Sequence, residues 1–75
     1  MSVTIEEIGK IVAVQLGARK VSQADRIVED LGAESADVVN IVAAVEDKYA
    51  ITIDEEAIPD IVTVGDLVEL VRSRI

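Results

Sequence analysis

A chain of 75 residues, of which 51% are hydrophobic and 29% charged, has the composition of one small globular domain and not of a disordered tail. It contains no Cys and no His, which excludes disulfide scaffolds, thiolate metal sites and the usual general base, so we expect neither an enzyme nor a metal site. Its net charge of -8 repels nucleic acids and anionic membranes and favours basic protein partners.

The first predicted element is a helix over residues 4–16. Its apolar residues recur at helical spacing: Ile5, Ile8, Val12 and Leu16. Thr4 and Glu7 resemble a capping box, and Gly17 is suited to stop the helix. Residues 17–34 show no such period, so we expect a long ordered loop with apolar anchors at Val21, Ile27, Val28 and Leu31.

A second helix is predicted from Ser35 to about Tyr49. Its core-facing positions are Val38, Val42, Val45 and Tyr49, with Ile41 beside them. Ser35 stands where the N-cap of this helix is expected.

The last third of the chain predicts one short element and one helix. Asp54-Glu55-Glu56 can start a short helix or turn that Pro59 limits. Thr63 and Asp66 cap a last helix with an apolar face of Val64, Leu67, Val68 and Val71. We therefore expect an all-α fold, a small bundle of three to four helices in a single domain over residues 1–75, with a long loop between the first and second helices.

Ser35 is the first candidate functional residue. The free N–H groups and the positive dipole end of a helix start favour an anionic group, so a phosphodiester on Ser35 suits that position. The commoner role of a serine there is to cap the helix.

Acidic residues are concentrated around the second helix. Residues 29–66 contain 11 acidic residues and one basic residue, Lys48, whereas the remainder of the chain contains 4 acidic and 6 basic residues. This distribution marks either a docking surface for a basic partner or a solvated face. The acidic residues of the candidate surface are Glu34, Asp37, Glu46 and Asp47.

Small apolar residues form a second stripe on the same helix, to one side of its core face. Ala36, Val39 and Ala43 fall together at 100° per residue, and Asn40 lies on one margin with Asp47. A polar-rimmed apolar stripe is typical of a docking surface, although it is equally typical of a widened core.

Taken in order, these residues resemble the acyl carrier proteins. The family signature is Asp-Ser-Leu at the start of the second helix after a Leu-Gly pair, and here Leu31-Gly32 precedes Glu34-Ser35-Ala36. The opening helix and the entry to the last helix are also similar, so the likeness covers essentially the whole chain.

The resemblance implies a carrier without catalysis of its own. Ser35 would receive phosphopantetheine from coenzyme A through a phosphopantetheinyl transferase, and acyl groups would be carried on its thiol as thioesters. The acidic residues and the stripe would meet basic patches on acyltransferases or synthases. The walls of an acyl pocket would be Val38, Val42, Val45, Leu67 and Val68.

Three departures from the family pattern concern the docking surface. Ala36 replaces the usual Leu, Ala43 replaces a bulky apolar residue, and Asn40 replaces an acidic one. Such losses flatten the stripe, so we predict a specialised carrier for a dedicated lipid, surface-polysaccharide or natural-product pathway.

Two alternatives stay open at this stage. The cargo could be an aminoacyl, peptidyl or D-alanyl group, or the chain could be an unmodified acidic helical module that only binds a basic protein. The longest apolar run, residues 41–45, is too short to span a bilayer, and Glu6 and Glu7 stand where a signal peptide needs basic residues. We therefore expect a cytoplasmic monomer without stable membrane insertion.

Overall fold

The computed structural model describes residues 2–75 and contains four helical elements. They are α1 (Ile5–Leu16), α2 (Ser35–Tyr49), a 3₁₀ helix (Glu55–Asp60) and α3 (Val64–Arg74). Over this part of the chain there is one isolated β-bridge and no longer strand. The all-α prediction and the long loop between α1 and α2 are confirmed. In the same residues no helix combines the length and the hydropathy needed to cross a membrane.

Helix α1 begins and ends as its sequence predicts, with one difference. The Thr4 hydroxyl accepts a hydrogen bond from the Glu7 N–H at 3.2 Å, and Gly17 ends the helix at a φ of 66°. The predicted reciprocal half of a capping box does not form. The Glu7 carboxylate instead accepts a hydrogen bond from the Tyr49 hydroxyl at 3.4 Å, which links α1 to the end of α2.

One hydrophobic core lies where the predicted apolar faces of the three α-helices meet. Helix α1 packs against both α2 and α3, and the 3₁₀ helix packs against α2. Burying these aliphatic side chains is the main source of stability for so small a chain. The largest fully buried side chains are Ile8, Val12, Ile27, Ile41, Val45, Val64, Leu67 and Val71.

The loop of residues 17–34 is fixed both by backbone hydrogen bonds and by apolar side chains that pack against the core. The Ile27 N–H donates to the Val62 carbonyl at 2.8 Å, and the Val64 N–H donates to the Asp25 carbonyl at 3.0 Å. Of the predicted anchors, Ile27 is buried, and Val21 and Leu31 are half-buried and pack against the core, whereas Val28 is 53% exposed. The prediction for Val28 was wrong because the chain makes helical turns there, such as Gly32 N–H to Val28 carbonyl at 3.1 Å, which turn this side chain outward.

The loop approaches the start of α3 very closely at Gly65. The Gly65 N–H donates to the Gln23 carbonyl at 2.9 Å. A Cβ at position 65 would lie 2.8 Å from the Gln23 Cγ and 3.2 Å from the Gln23 carbonyl oxygen. A side chain at position 65 would have to displace Gln23, so glycine suits this loop-to-helix contact.

Candidate functional site

Ser35 is the first residue of α2, and it is exposed. The N-cap is Glu34 with extended backbone (φ -91°, ψ 169°), so the prediction that Ser35 is the N-cap was wrong by one residue. The cap interaction comes from Asp37, whose carboxylate accepts a hydrogen bond from the Glu34 N–H at 2.9 Å. Within residues 2–75 no protein group bonds the Ser35 hydroxyl, which is therefore available for chemistry.

The first turn of α2 can receive an anion. The N–H groups of Ser35 and Ala36 have no acceptor among the described residues. These free donors stand at the positive end of a 15-residue helix, which favours a negatively charged group there. A phosphodiester on Ser35 fits this environment.

An apolar groove of about 310 Å³ lies directly beside Ser35. Two of its wall residues, Val28 and Val39, are more than half exposed, at 53% and 54%. This is an unusual position for large apolar side chains unless something covers them. Besides Ser35, the groove is lined by Val28, Val38, Val39, Ile58, Pro59 and Ile61.

The groove contains residues that the sequence analysis did not select. Its outer wall comes from the loop and from the 3₁₀ helix, through Val28, Ile58 and Pro59. Of the five predicted acyl-pocket residues only Val38 lines it, whereas Val42, Val45, Leu67 and Val68 lie in the core. The exposed side chains of Val28 and Val39 line the same groove as Ser35. The folded loop brings them together, so their proximity could not be recognised from the sequence.

The predicted acidic surface divides into free and engaged carboxylates. Glu34 and Asp47 are exposed; among residues 2–75 no protein group bonds the Asp47 side chain, whereas Glu34 shares a capping box with Asp37. The half-buried Glu46 accepts a hydrogen bond from the Ile53 N–H at 2.8 Å, so it fastens the segment after α2. Asp37 is engaged at the helix start, as described above.

The stripe residues are all on the surface. Ala36, Val39 and Ala43 are exposed, as is the neighbouring Asn40. Val39 joins this stripe to the groove because it belongs to both. Stripe and groove therefore form one apolar surface that adjoins Ser35.

A group of charged residues lies in the same turn of the loop as Val28. Arg26 forms ion pairs with Glu29 and with Asp30, the latter at 3.3 Å. The pKa of the Asp30 carboxyl is lowered, chiefly by the hydrogen bond it accepts from the Arg26 backbone N–H and then by that from the guanidinium. These contacts lie in the turn that contains Val28.

A three-helix bundle with an exposed, unbonded serine at a helix start, beside an apolar groove, defines a small carrier-type domain. The family described as "Phosphopantetheine attachment site" matches residues 6–71 of the chain. An acyl carrier protein of Sinorhizobium fredii and the acyl carrier protein AcpP of Rhizobium meliloti are each 41% identical over 75 residues, covering 97% of this chain and 96% of the relative.

The fold agrees with this result. The crystal structure of an acyl carrier protein from Thermotoga maritima matches with a TM-score of 0.79 at 30% identity, covering 93% of this chain and 84% of that one. The chain belongs to the acyl carrier protein family and carries a covalently attached phosphopantetheine group. As a carrier of this type it works with transferases and synthases in general.

Proposed function

We propose that Ser35 is the residue that bears the phosphopantetheine group. The observation that carries this proposal is the Ser35 hydroxyl itself, exposed and without an internal hydrogen bond at the start of α2, inside the span that the family match covers. A separate transferase would join its oxygen to the phosphorus of coenzyme A, with loss of the hydroxyl proton and release of the nucleotide part. The group supplies the thiol that this Cys-free chain lacks.

The residues around Ser35 have separate tasks in this proposal. The N–H groups of Ser35 and Ala36 and the helix dipole stabilise the phosphodiester charge. The groove with Val28 and Val39 shelters apolar parts of the arm or its cargo. The predicted pocket of Val38, Val42, Val45, Leu67 and Val68 requires the core to open, and its test is whether acylation shifts their NMR signals.

The partner surface is proposed to combine charge with apolar contact. Glu34 and Asp47 carry the exposed carboxylates that steer a basic partner, a long-range effect that salt weakens. Asp37 and Glu46 add charge but are held by the chain itself. Ala36, Val39, Asn40 and Ala43 form the contact area.

The flattened stripe supports a specialised carrier. A missing Leu-sized contact removes roughly 1–3 kcal/mol of interface energy, so a general partner should bind weakly. This supports a dedicated lipid, surface-polysaccharide or natural-product pathway in the cytoplasm. Ala36→Leu is expected to speed modification by a broad-specificity transferase, whereas Ala24→Leu, at an exposed loop position, should not.

Intact mass after incubation with coenzyme A and a phosphopantetheinyl transferase tests the attachment residue. We expect the mass of one phosphopantetheine to be added to the natural chain and to a Ser22→Ala variant, and none to Ser35→Ala. Modification that survives in Ser35→Ala would place the group elsewhere. No modification with several transferases would favour the unmodified acidic binding module.

A further inference from the structure

A second groove runs between α1 and α2, away from Ser35. Its volume is about 490 Å³, within the range of ligand and peptide sites. Both walls are helical, so it is a long shallow surface between two neighbouring helices. The groove is lined by Glu7, Lys10, Ile11, Val14, Gln15, Ala44 and Lys48.

The floor of this groove contains an exposed apolar residue with no neighbour to cover it. Val14 is 69% exposed, more than any other large hydrophobic residue of the described chain. Val28 and Val39 belong to the groove beside Ser35, so Val14 is part of a different apolar surface. Ile11, which is half-buried, and Ala44 continue this surface across the two helices.

The charge of this groove is opposite to that of the molecule. The chain has a net charge of -8, yet the groove contains Lys10 and Lys48 against the single carboxylate of Glu7. Glu7 is engaged with the Tyr49 hydroxyl. Every ion pair among residues 2–75 uses an arginine, so neither groove lysine has an acidic partner in the fold.

The two grooves lie on different sides of α2. At about 100° per residue, Ala44 and Lys48 are rotated by about 140–180° from Ser35 around the helix axis. Lys48 is also 13 positions further along, which corresponds to about 20 Å of helix. A partner in the second groove therefore leaves Ser35 and its own groove accessible.

We propose that the groove between α1 and α2 docks an acidic amphipathic helix of a partner protein. A helix fits a two-helix groove by placing its apolar face on the floor, here Val14, Ile11 and Ala44. Its flanking Asp or Glu residues pair with Lys10 and Lys48. Nucleic acid and anionic membrane present dense negative charge that a chain of net charge -8 repels, whereas the helix needs only the few acidic residues that face Lys10 and Lys48. The carrier is thus held by one protein while Ser35 serves another.

The test uses the full-length chain and a synthetic amphipathic helix of about 18 residues built from Leu, Ala and Glu. NMR titration at low salt should shift the signals of Lys10, Ile11, Val14, Ala44 and Lys48. The double variant Lys10→Glu/Lys48→Glu should weaken binding about tenfold or more. Lys20→Glu, an exposed loop position outside the groove, and Ser35→Ala are expected to bind as the natural chain does.

Several outcomes overturn the proposal. One is equal weakening by Lys20→Glu, which would mean that the overall charge of the chain, and not the two groove lysines, sets the affinity. Another is equal binding of a control peptide with Lys in place of Glu. NMR shifts of the groove residues that appear without peptide, as the protein concentration rises, would assign the groove to a second copy of the chain. Binding of anionic vesicles in place of the peptide would assign it to lipid. If the Glu variant does not fold, Lys10→Gln/Lys48→Gln and Val14→Ser give the same test.

Discussion

Helices α2 and α3 both start with a capping box, but the backbone N–H groups of their first turns are used differently. Each has an acidic residue three positions after its N-cap. At α3 the Asp66 carboxylate accepts hydrogen bonds from the N–H groups of both Val62 and Thr63, and the Thr63 hydroxyl accepts one from the Asp66 N–H. At α2 the Asp37 carboxylate accepts one bond, from the Glu34 N–H, and the Glu34 side chain forms the other half of a capping box with the Asp37 N–H.

The two helix starts also differ in how the N–H groups of their first two residues are used. At α3 the N–H groups of Val64 and Gly65 bond to the loop carbonyls of Asp25 and Gln23. At α2 the corresponding N–H groups of Ser35 and Ala36 have no acceptor in the described chain. The start of α3 is therefore a structural junction, whereas the start of α2 keeps its donors available for a bound anion.

The largest difference in stability between the two helix starts is expected when the Asp66 and Asp37 carboxylates are removed in turn. Asp66→Ala should lower the free energy of unfolding by about 1–2 kcal/mol because two backbone donors lose their acceptor. Asp37→Ala should lower it by about 0.5–1 kcal/mol because one donor is lost. Urea unfolding of the two variants measures this. An equal or larger loss for Asp37→Ala would contradict the comparison.

The junction at α3 is expected to reject a side chain at position 65. Gly65→Ala should lower the free energy of unfolding by about 1 kcal/mol, since the overpacking against Gln23 outweighs the better helix propensity of Ala. For a small domain that is a fall in melting temperature of about 4–8 °C. Gln23→Ala removes the nearest side-chain atom, so the double variant should regain part of the loss. If the two substitutions are additive in a double-mutant cycle, the Gln23 side chain does not cause the loss of stability in Gly65→Ala.

Acid is expected to weaken the junction at α3. The pKa of the Asp66 carboxyl is lowered from its usual 3.8, chiefly by the hydrogen bonds from the backbone N–H groups of Thr63 and then Val62. A lowered folded-state pKa gives stability that is complete above the unfolded-state pKa and is lost as pH falls through the folded value. The gap in unfolding free energy between the natural chain and Asp66→Asn should therefore be constant above about pH 5 and shrink below about pH 4. A gap that widens in acid would contradict this.

Local signals in the sequence predict the helices well, because a cap and an apolar period lie within a few residues. Helix α2 ends where Tyr49 completes the spacing of its buried face, and Thr63 and Asp66 specify the start of α3. The loop depends on contacts that no local signal contains. Backbone hydrogen bonds of the folded loop, such as that from the Gly32 N–H to the Val28 carbonyl, turn Val28 outward, and the bond from the Ile53 N–H engages Glu46.

The same limit applies to the candidate site. Ser35 stands out in the sequence because it begins a periodic helix after Leu31-Gly32. The groove beside it could not be predicted, since Val28, Ile58 and Pro59 come from segments that meet only in the folded chain. The residue that caps α2 was misassigned by one position because the hydrogen bond to Asp37 starts from Glu34, a residue type that sequence rules do not favour as an N-cap.

The smallest effect on stability is expected from Ser35 itself. Ser35→Ala should change the free energy of unfolding by less than about 0.5 kcal/mol, because an exposed hydroxyl without an internal bond contributes little. Thr63→Ala is the matched control at the other helix start and should cost about 1 kcal/mol, because its hydroxyl does cap α3. Both variants are measured on the unmodified chain by thermal unfolding. A loss for Ser35→Ala as large as that for Thr63→Ala would mean that the serine is a structural cap, and the contrast between the two helix starts would fail.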